Sequence, residues 1–143
     1  MINRYCIGLI IIGLSLSLGS VGASAEVVAV VSAKNPVTTL SKNQVVDIFL
    51  GKANRFPDDR EAVPIDQEEG SAARKEFYLK FAGKSPAQIK AFWSKIIFTG
   101  RGQPPPEVSN DVEVKKFIAE HPDAIGYIDQ KLVDDSVKVI LTK

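Results

Sequence analysis

The sequence predicts an α/β domain with the element order β-α-β-α-α-α-β-β. Residues 26–32 (EVVAVVS) form a nearly continuous apolar run, which is typical of a central strand covered on both faces. Four later segments begin with a Ser or Asn in the position of a helix N-cap, and each continues with apolar residues at helical spacing. Two further apolar runs, 124–128 and 137–141, lie near the C-terminus and predict a closing pair of strands.

The first 25 residues have the pattern of a secretory signal peptide. Arg4 supplies a positive start, residues 7–18 are apolar apart from Gly and Ser, and Ala23-Ser24-Ala25 is a small-residue cleavage site. The alternative is an uncleaved membrane anchor, but the apolar run is short for a spanning helix. Cys6 precedes the apolar run, so a lipid-attachment cysteine is not expected. We therefore expect a periplasmic or secreted domain comprising residues 26–143.

Composition limits the function classes. The chain of 143 residues has 18 basic and 17 acidic residues, and removal of the first 25 leaves 118 residues with 17 of each sign and no cysteine. Nucleic-acid and anionic-membrane binders need a clear basic excess, so neither partner is expected. Disulfides and thiolate chemistry are excluded for this part of the chain. Its length suits one domain with an adequate core.

The first predicted helix has consistent signals at both ends. A turn at Asn35-Pro36 precedes Ser41, which is an N-cap candidate with Gln44 at the capping-box position. We expect a helix over residues 42–50, closed by Gly51 in a left-handed conformation. Its buried side chains should be Val45, Ile48 and Phe49.

The junction at Gly70-Ser71 is the first candidate binding site. An exposed loop, residues 52–61, should be tied down by Phe56, and residues 63–65 form a brief strand before the junction. A helix then follows to about Gly83, with Phe77, Tyr78 and Phe81 at helical spacing.

At a strand-to-helix junction the first helical N–H groups lack partners, and the helix dipole favours an anion. Ser71 could add a hydroxyl and Arg74 a positive charge. The alternative is that Ser71 is only an N-cap and that Arg74 is solvated or paired with Glu68 or Glu69. The spacing alone favours this alternative, and like charge from the two glutamates would repel a free anion.

A second candidate loop follows the next helix. Ser85 and Gln88 form a capping box with Pro86 at the first helical position, which predicts a helix over 86–98. Its core face should hold Ile89, Phe92, Trp93, Ile96 and Ile97. Residues 99–106 (TGRGQPPP) can form neither helix nor ladder, and Arg101 between two glycines could donate to an oxyanion. The alternative is a rigid connector with a solvated arginine.

The last predicted helix begins at Asn110 and ends at His121-Pro122, burying Val114, Phe117 and Ile118. His121 is the only histidine and should be structural. With one histidine and no cysteine after residue 25, an ordinary zinc site or a cysteine dyad cannot be built. Apparent P-loop and calcium-loop patterns fail at Tyr78 and Phe77, where a glycine and a glutamate are required. We therefore expect no metal, no cofactor and no enzymatic activity.

Four segments together resemble a known family: VAVVSAKNP at 28–36, LSKNQVVDIFLGK at 40–52, Gly70-Ser71, and AIGYI at 124–128. They resemble the phosphate-binding-protein branch of the periplasmic solute-binding superfamily, in the same order and over nearly all of residues 28–141. The resemblance implies a type II periplasmic-binding-protein-like fold with a mixed sheet flanked by helices. The length of about 118 residues corresponds to roughly one lobe of that fold.

The resemblance also implies a ligand and partners. The family binds phosphate or a similar oxyanion with backbone amides, hydroxyls, an arginine and an acidic residue, and delivers it to an ABC transporter. Ser71 matches the family's binding serine, whereas Gln67 replaces its arginine and Ala72-Ala73 its Gly-Thr pair. The expected contacts are Ser71, Gly70 and Arg74, with Gln67 and Arg101 secondary.

Binding by one lobe would be shallow, shared across a homodimer, or lost. The alternative function is an interaction module that docks on an envelope protein without binding an anion. A phosphate-ester hydrolase is a distant third interpretation, because few acid-base groups are present.

Overall fold

The structure, a computed structural model, describes residues 26–142, so the predicted signal peptide lies outside the described residues. Among the residues described, no helix is long and apolar enough to cross a membrane. In chain order the elements are β1 (Val27–Ser32), β2 (Thr39–Leu40), α1 (Lys42–Phe49), β3 (Val63–Pro64), β4 (Asp66–Gln67), α2 (Ala72–Ala82), α3 (Pro86–Phe98), β5 (Glu107–Val108), α4 (Asp111–Glu120), β6 (Ala124–Asp129), a short 3-10 helix (Gln130–Leu132), β7 (Val137–Val139) and β8 (Leu141–Thr142).

A four-stranded mixed sheet with the order β3-β6-β1-β7 lies at the centre of the fold. Strand β1 pairs antiparallel with both β6 and β7, and β3 joins the other edge of β6 in parallel. The predicted central position of the first strand is confirmed, since every residue of β1 except Val28 is buried. The predicted α/β class and the mixed sheet flanked by helices are also confirmed.

The predicted element order is confirmed apart from four two-residue strands that the sequence analysis missed. These strands form two parallel ladders, β2 with β8 and β4 with β5. The predicted strand over 137–141 is interrupted at Ile140, whose N–H donates to the carbonyl of Ala29. Two-residue strands are too short for a period-2 pattern, so only the tertiary structure reveals them.

The two faces of the sheet are covered by different helices. Helices α1, α2 and α3 pack on the face that carries Ala29, Val31 and Tyr127, where the rings of Phe77 and Tyr127 stack with centroids 4.1 Å apart. Helix α4 packs on the opposite face, which carries Val30 and Ile128. Alternation of side chains along β1 and β6 therefore produces two core clusters from one sheet.

The helix signals are mostly confirmed. Ser41 and Ser85 each form a complete capping box, and Ser71 and Asn110 accept a hydrogen bond from the amide three residues on. Gly51 closes α1 with a φ of 74°. The predicted buried residues of α1, Val45, Ile48 and Phe49, are those observed, and Phe56 is buried in its loop as predicted.

The predicted core faces of α3 and α4 were too wide. Ile97 was expected in the core but is 56% exposed and lines a surface groove. Phe117 of α4 is only half-buried and stacks on the ring of His121, with centroids 3.9 Å apart. The His121 Nδ1 lies 2.8 Å from the Phe117 carbonyl oxygen, which agrees with a structural role.

Candidate functional site

The predicted strand-to-helix junction is present between β4 and α2. Gly70 has a φ of 93°, a conformation that favours glycine and turns the chain into the helix. Ser71 is the N-cap, and its Oγ accepts from the Arg74 N–H at 3.2 Å. The same hydroxyl donates to Gln67 Oε1 at 2.9 Å. Ser71 is therefore an N-cap, and its hydroxyl proton is donated to a protein acceptor.

Gln67 is a buried bridge and not an exposed ligand contact. Its side chain is 1% exposed. Its Nε2 donates to Asp111 Oδ1 at 2.6 Å and to the Tyr127 carbonyl at 3.2 Å. Together with the bond from Ser71, these contacts connect β4 with α2, α4 and β6. Gln67 consequently orients Ser71 but presents no free amide to solvent.

Arg74 is held in an ion pair that the sequence analysis did not predict. Its Nη1 donates to Glu107 Oε1 at 2.8 Å and to the Gln67 carbonyl at 2.9 Å. The expected partners Glu68 and Glu69 are wrong, because the β4–β5 ladder places Glu107 closer. Burial tends to lower the pKa of Arg74, but nearby Asp66 and Glu107 outweigh it and raise that pKa. Arg74 therefore remains charged. Its side chain is 15% exposed.

Asp66 is the centre of the junction, and the sequence analysis missed it. Its carboxylate is 1% exposed. It accepts hydrogen bonds from the Tyr78 hydroxyl at 2.5 Å, from the Tyr127 hydroxyl and from the Gln67 amide at 2.8 Å. Burial, followed by the charge of Asp66, raises the pKa of Tyr78 and of Tyr127 far above the usual value near 10. No local pattern identifies this group, because its two tyrosine donors lie on α2 and β6.

A groove of about 450 Å³ opens beside the junction, between α2, α3 and the chain leading into β5. Its apolar lining comes from Tyr78, Pro86, Ile89, Trp93, Ile97 and Pro104, and its polar lining includes Glu69, Ser71, Arg74, Lys75, Lys90 and Glu107. The first two helical amides, of Ala72 and Ala73, donate to no protein acceptor among residues 26–142. The groove therefore combines an apolar surface with a helix N-terminus and three cations.

Arg101 is not brought to this groove. It is exposed, and its backbone N–H donates to the Ile96 carbonyl in the turn that ends α3. Its side chain forms no hydrogen bond or ion pair with the described part of the chain. Gly100 in the same turn has a φ of 67°. Of the five predicted site residues, Gly70, Ser71 and Arg74 line the groove, while Gln67 lies behind it and Arg101 outside it.

Across residues 26–142, no group of three or more His, Cys, Asp or Glu side chains is arranged to hold a metal ion. The buried acid Asp66 is satisfied by three protein donors instead. Around the groove, the cations Arg74, Lys75 and Lys90 lie beside the acidic groups of Glu69 and Glu107.

Comparison with solved structures identifies the fold. A protein from Clostridium perfringens, assigned as a phosphate ABC transporter substrate-binding protein and solved with bound phosphate, matches with a TM-score of 0.63 and 25% identity. An ABC-type phosphate transport receptor from Vibrio cholerae matches with a TM-score of 0.65 and 23% identity. PstS from Borrelia burgdorferi matches with a TM-score of 0.58 and 16% identity. No protein-family model matches the chain, and neither does any curated protein sequence.

The matches cover most of this chain but less than half of each known structure. They cover 81%, 81% and 82% of this chain, but only 44%, 45% and 47% of the three proteins. The chain thus spans less than half the length of the solved structures it matches. Its fold is that of part of a phosphate ABC transporter substrate-binding protein, as the resemblance in the sequence implied.

Proposed function

We propose that this chain, with the fold of phosphate ABC transporter substrate-binding proteins, is an exported, non-enzymatic binding protein for phosphate or a related small oxyanion. The observation that carries the proposal is the N-terminus of α2, where the amides of Ala72 and Ala73 have no protein acceptor among residues 26–142 and Ala72, Arg74 and Lys75 line the groove. A helix N-terminus offers both N–H donors and a favourable dipole to an anion. One of the proteins with this fold was solved with bound phosphate.

Four of the five predicted site residues have a role in this proposal. Gly70 supplies the turn and Gln67 holds Ser71 in position from behind. Arg74 contacts the anion together with the amides of Ala72 and Ala73, and Ser71 joins them when its hydroxyl turns from Gln67 to donate to the ligand. Arg101 lies outside the groove and has no role at this site.

Glu107 competes with the ligand for Arg74. Its carboxylate is 39% exposed and accepts from the guanidinium at 2.8 Å, so it occupies a position that a ligand oxygen would take. Binding requires Glu107 to turn outward and release this donor. Because a carboxylate beside the site also repels an anion, the affinity should rise when this charge is removed.

Location and partners belong to the same proposal. The signal-peptide pattern of residues 1–25 would export a domain comprising residues 26–143 to the periplasm or the cell exterior. An ABC-transporter permease would receive the anion. A homodimer is a further element of this proposal.

Calorimetric titration of the purified protein with phosphate, and with sulfate for comparison, tests the proposal. Glu107→Gln should bind phosphate several-fold more tightly, and Arg74→Ala should bind at least tenfold more weakly, because a charge-assisted hydrogen bond is worth about 1.5–3 kcal/mol. Arg60→Ala is the matched control, since its exposed guanidinium lies in the loop before β3. Unchanged affinity in Arg74→Ala would remove this residue from the site, and no heat at millimolar phosphate or sulfate would refute anion binding.

The second candidate function is the interaction module without anion binding. The specific observation in its favour is that the Ser71 hydroxyl and the Arg74 guanidinium already have protein acceptors, in Gln67 and Glu107. A network that is complete without a ligand stabilises the junction as a scaffold. This candidate predicts no response to phosphate in either variant.

A further inference from the structure

Charge is separated along this chain in a way that its overall balance conceals. Residues 72–102, which comprise α2, α3 and the turn after α3, contain seven Lys or Arg and one acidic residue. Residues 26–71 and 103–143 each contain five Lys or Arg and eight acidic residues. The α2–α3 hairpin is therefore a strongly basic surface on an otherwise acidic domain.

The same hairpin exposes large apolar side chains. Phe98 is 93% exposed at the last position of α3, and Ile97 beside it is 56% exposed. Phe98 follows the buried Ile89 by nine residues, about two and a half turns, so it lies on the opposite face of α3 and points away from the core. Contiguous exposed apolar groups surrounded by polar residues are typical of interaction sites. Ile97 also lines the groove, which connects the exposed residues to a concave apolar surface.

We propose that the α2–α3 hairpin and its groove bind an acidic segment of a partner protein, with one apolar side chain of that segment seated in the groove. The groove volume of about 450 Å³ accommodates such a side chain on Trp93 and Ile89. Lys75 and Lys90 line the same groove and pair with the acidic groups of the segment. This inference does not depend on oxyanion binding.

The cations at the groove are available for a partner. Lys90 is 3.5 Å from Glu69, but the two side chains are 70% and 62% exposed, so this pair contributes little and exchanges readily. Lys75 is exposed and forms no ion pair within the described chain. Both ammonium groups can therefore pair with a partner carboxylate without disrupting the fold.

Charge also selects against other occupants. Two copies meeting through the same face would oppose two basic hairpins, which disfavours a two-fold dimer here. A bilayer surface is attracted by the positive charge, but a flat surface leaves a concave groove unfilled. An acidic polypeptide with an apolar residue satisfies both the charge and the shape of the groove.

Binding can be tested by NMR titration of the isotope-labelled protein with two synthetic pools of 12-residue peptides. In the first pool one Leu, Phe or Trp is flanked by five Asp or Glu in a Gly/Ser background, and in the second every acid is replaced by Lys. The acidic pool should cause saturable shifts in α2, α3 and residues 98–104. Affinity should fall about tenfold between 50 and 500 mM salt, because exposed charges are screened.

Matched variants identify the surface. The double variant Lys75→Glu/Lys90→Glu should weaken binding at least tenfold. The control double variant Lys116→Glu/Lys131→Glu changes the net charge of the protein by the same amount, but on α4 and the 3-10 helix, and should not weaken binding. Ile97→Ser should weaken binding several-fold with the charge unchanged, because Ile97 lines the groove and is 56% exposed. Circular dichroism of each variant establishes that it is folded.

Three results would overturn the proposal. The first is the absence of saturable shifts at millimolar acidic peptide, and the second is equal binding of the basic pool or equal loss in the control pair. The third is displacement of the peptides by phosphatidylglycerol vesicles that bind more tightly, which would reassign the face to a membrane. Phosphate affinity enters none of these outcomes, so failure here is distinguishable from failure of oxyanion binding.

Discussion

Alkaline titration is the strongest test of the buried hub, which consists of Asp66 and the two tyrosines that donate to it, Tyr78 and Tyr127. The chain contains three tyrosines, of which Tyr78 and Tyr127 donate to this carboxylate, and Tyr5 lies outside the described residues. Burial and Asp66 raise the pKa of both buried phenols in the folded state, whereas in the unfolded chain each titrates near 10. A Tyr5→Phe background leaves only the two hub phenols to observe.

The sign and size of the effect follow from proton linkage. Because the folded pKa of each phenol lies above the unfolded pKa, the hub is fully stabilising below about pH 10 and loses this contribution as the pH rises. Each phenol should lower the free energy of unfolding by about 1.4 kcal/mol per pH unit above 10. Two phenols give a loss of about 3 kcal/mol at pH 11 and about 5.5 kcal/mol at pH 12, which exhausts the stability of a marginal domain.

Two optical signals follow the transition in one sample. Absorbance at 295 nm reports tyrosinate, and fluorescence reports Trp93, the only tryptophan, which is 6% exposed in the core. Both should change together and cooperatively above pH 11, since ionisation requires unfolding. Tyr78→Phe in the same background should halve the pH dependence. A tyrosinate signal with a midpoint near pH 10, in a protein with native circular dichroism and fluorescence, would show that the hub is solvated and the reasoning incorrect.

Two further predictions concern close packing and a buried amide. Gly126→Ala should lower the free energy of unfolding by about 1–3 kcal/mol in urea titration, because the added Cβ would lie 2.7 Å from Val114 Cγ1. Gly102→Ala, whose Cβ would be 3.6 Å from the nearest atom, is the control and should change it by under about 0.5 kcal/mol. Asn35→Ala should lower the free energy of unfolding by about 1–3 kcal/mol. The buried Asn35 side chain donates to the Pro122 carbonyl and accepts from the Val37 amide, each at 2.8 Å. An unchanged thermal midpoint would contradict this prediction.

Local signals predicted the elements whose causes are local. The capping residues Ser41 and Ser85 begin α1 and α3 where expected, because the hydrogen bonds that define a cap span only three residues. The cap at Ser71 is likewise present where the sequence predicts a helix start. Burial of Ile97 was predicted wrongly, since helical periodicity identifies a face but not where the neighbouring helix ends.

The site could be predicted only in part because its geometry depends on long-range pairing. The sequence places Ser71 and Arg74 on one helix turn, but the acceptor Glu107 reaches Arg74 only through the ladder between β4 and β5. Asp66 becomes a hub only when α2 and β6 bring two tyrosines to it. Neither arrangement leaves a periodic pattern, since ladders of two residues join segments 41 positions apart in the chain.

The two proposed functions require different arrangements of Glu107. Oxyanion binding requires this carboxylate to leave Arg74, so removal of its charge should favour phosphate. Docking of an acidic segment uses Lys75 and Lys90 instead and leaves the Arg74–Glu107 pair in place at 2.8 Å. Glu107→Gln should therefore change phosphate affinity several-fold while the peptide affinity increases only slightly, through the loss of one nearby negative charge. Equal gains for both ligands would mean that they share the guanidinium, and the groove would then be a single site for anionic groups.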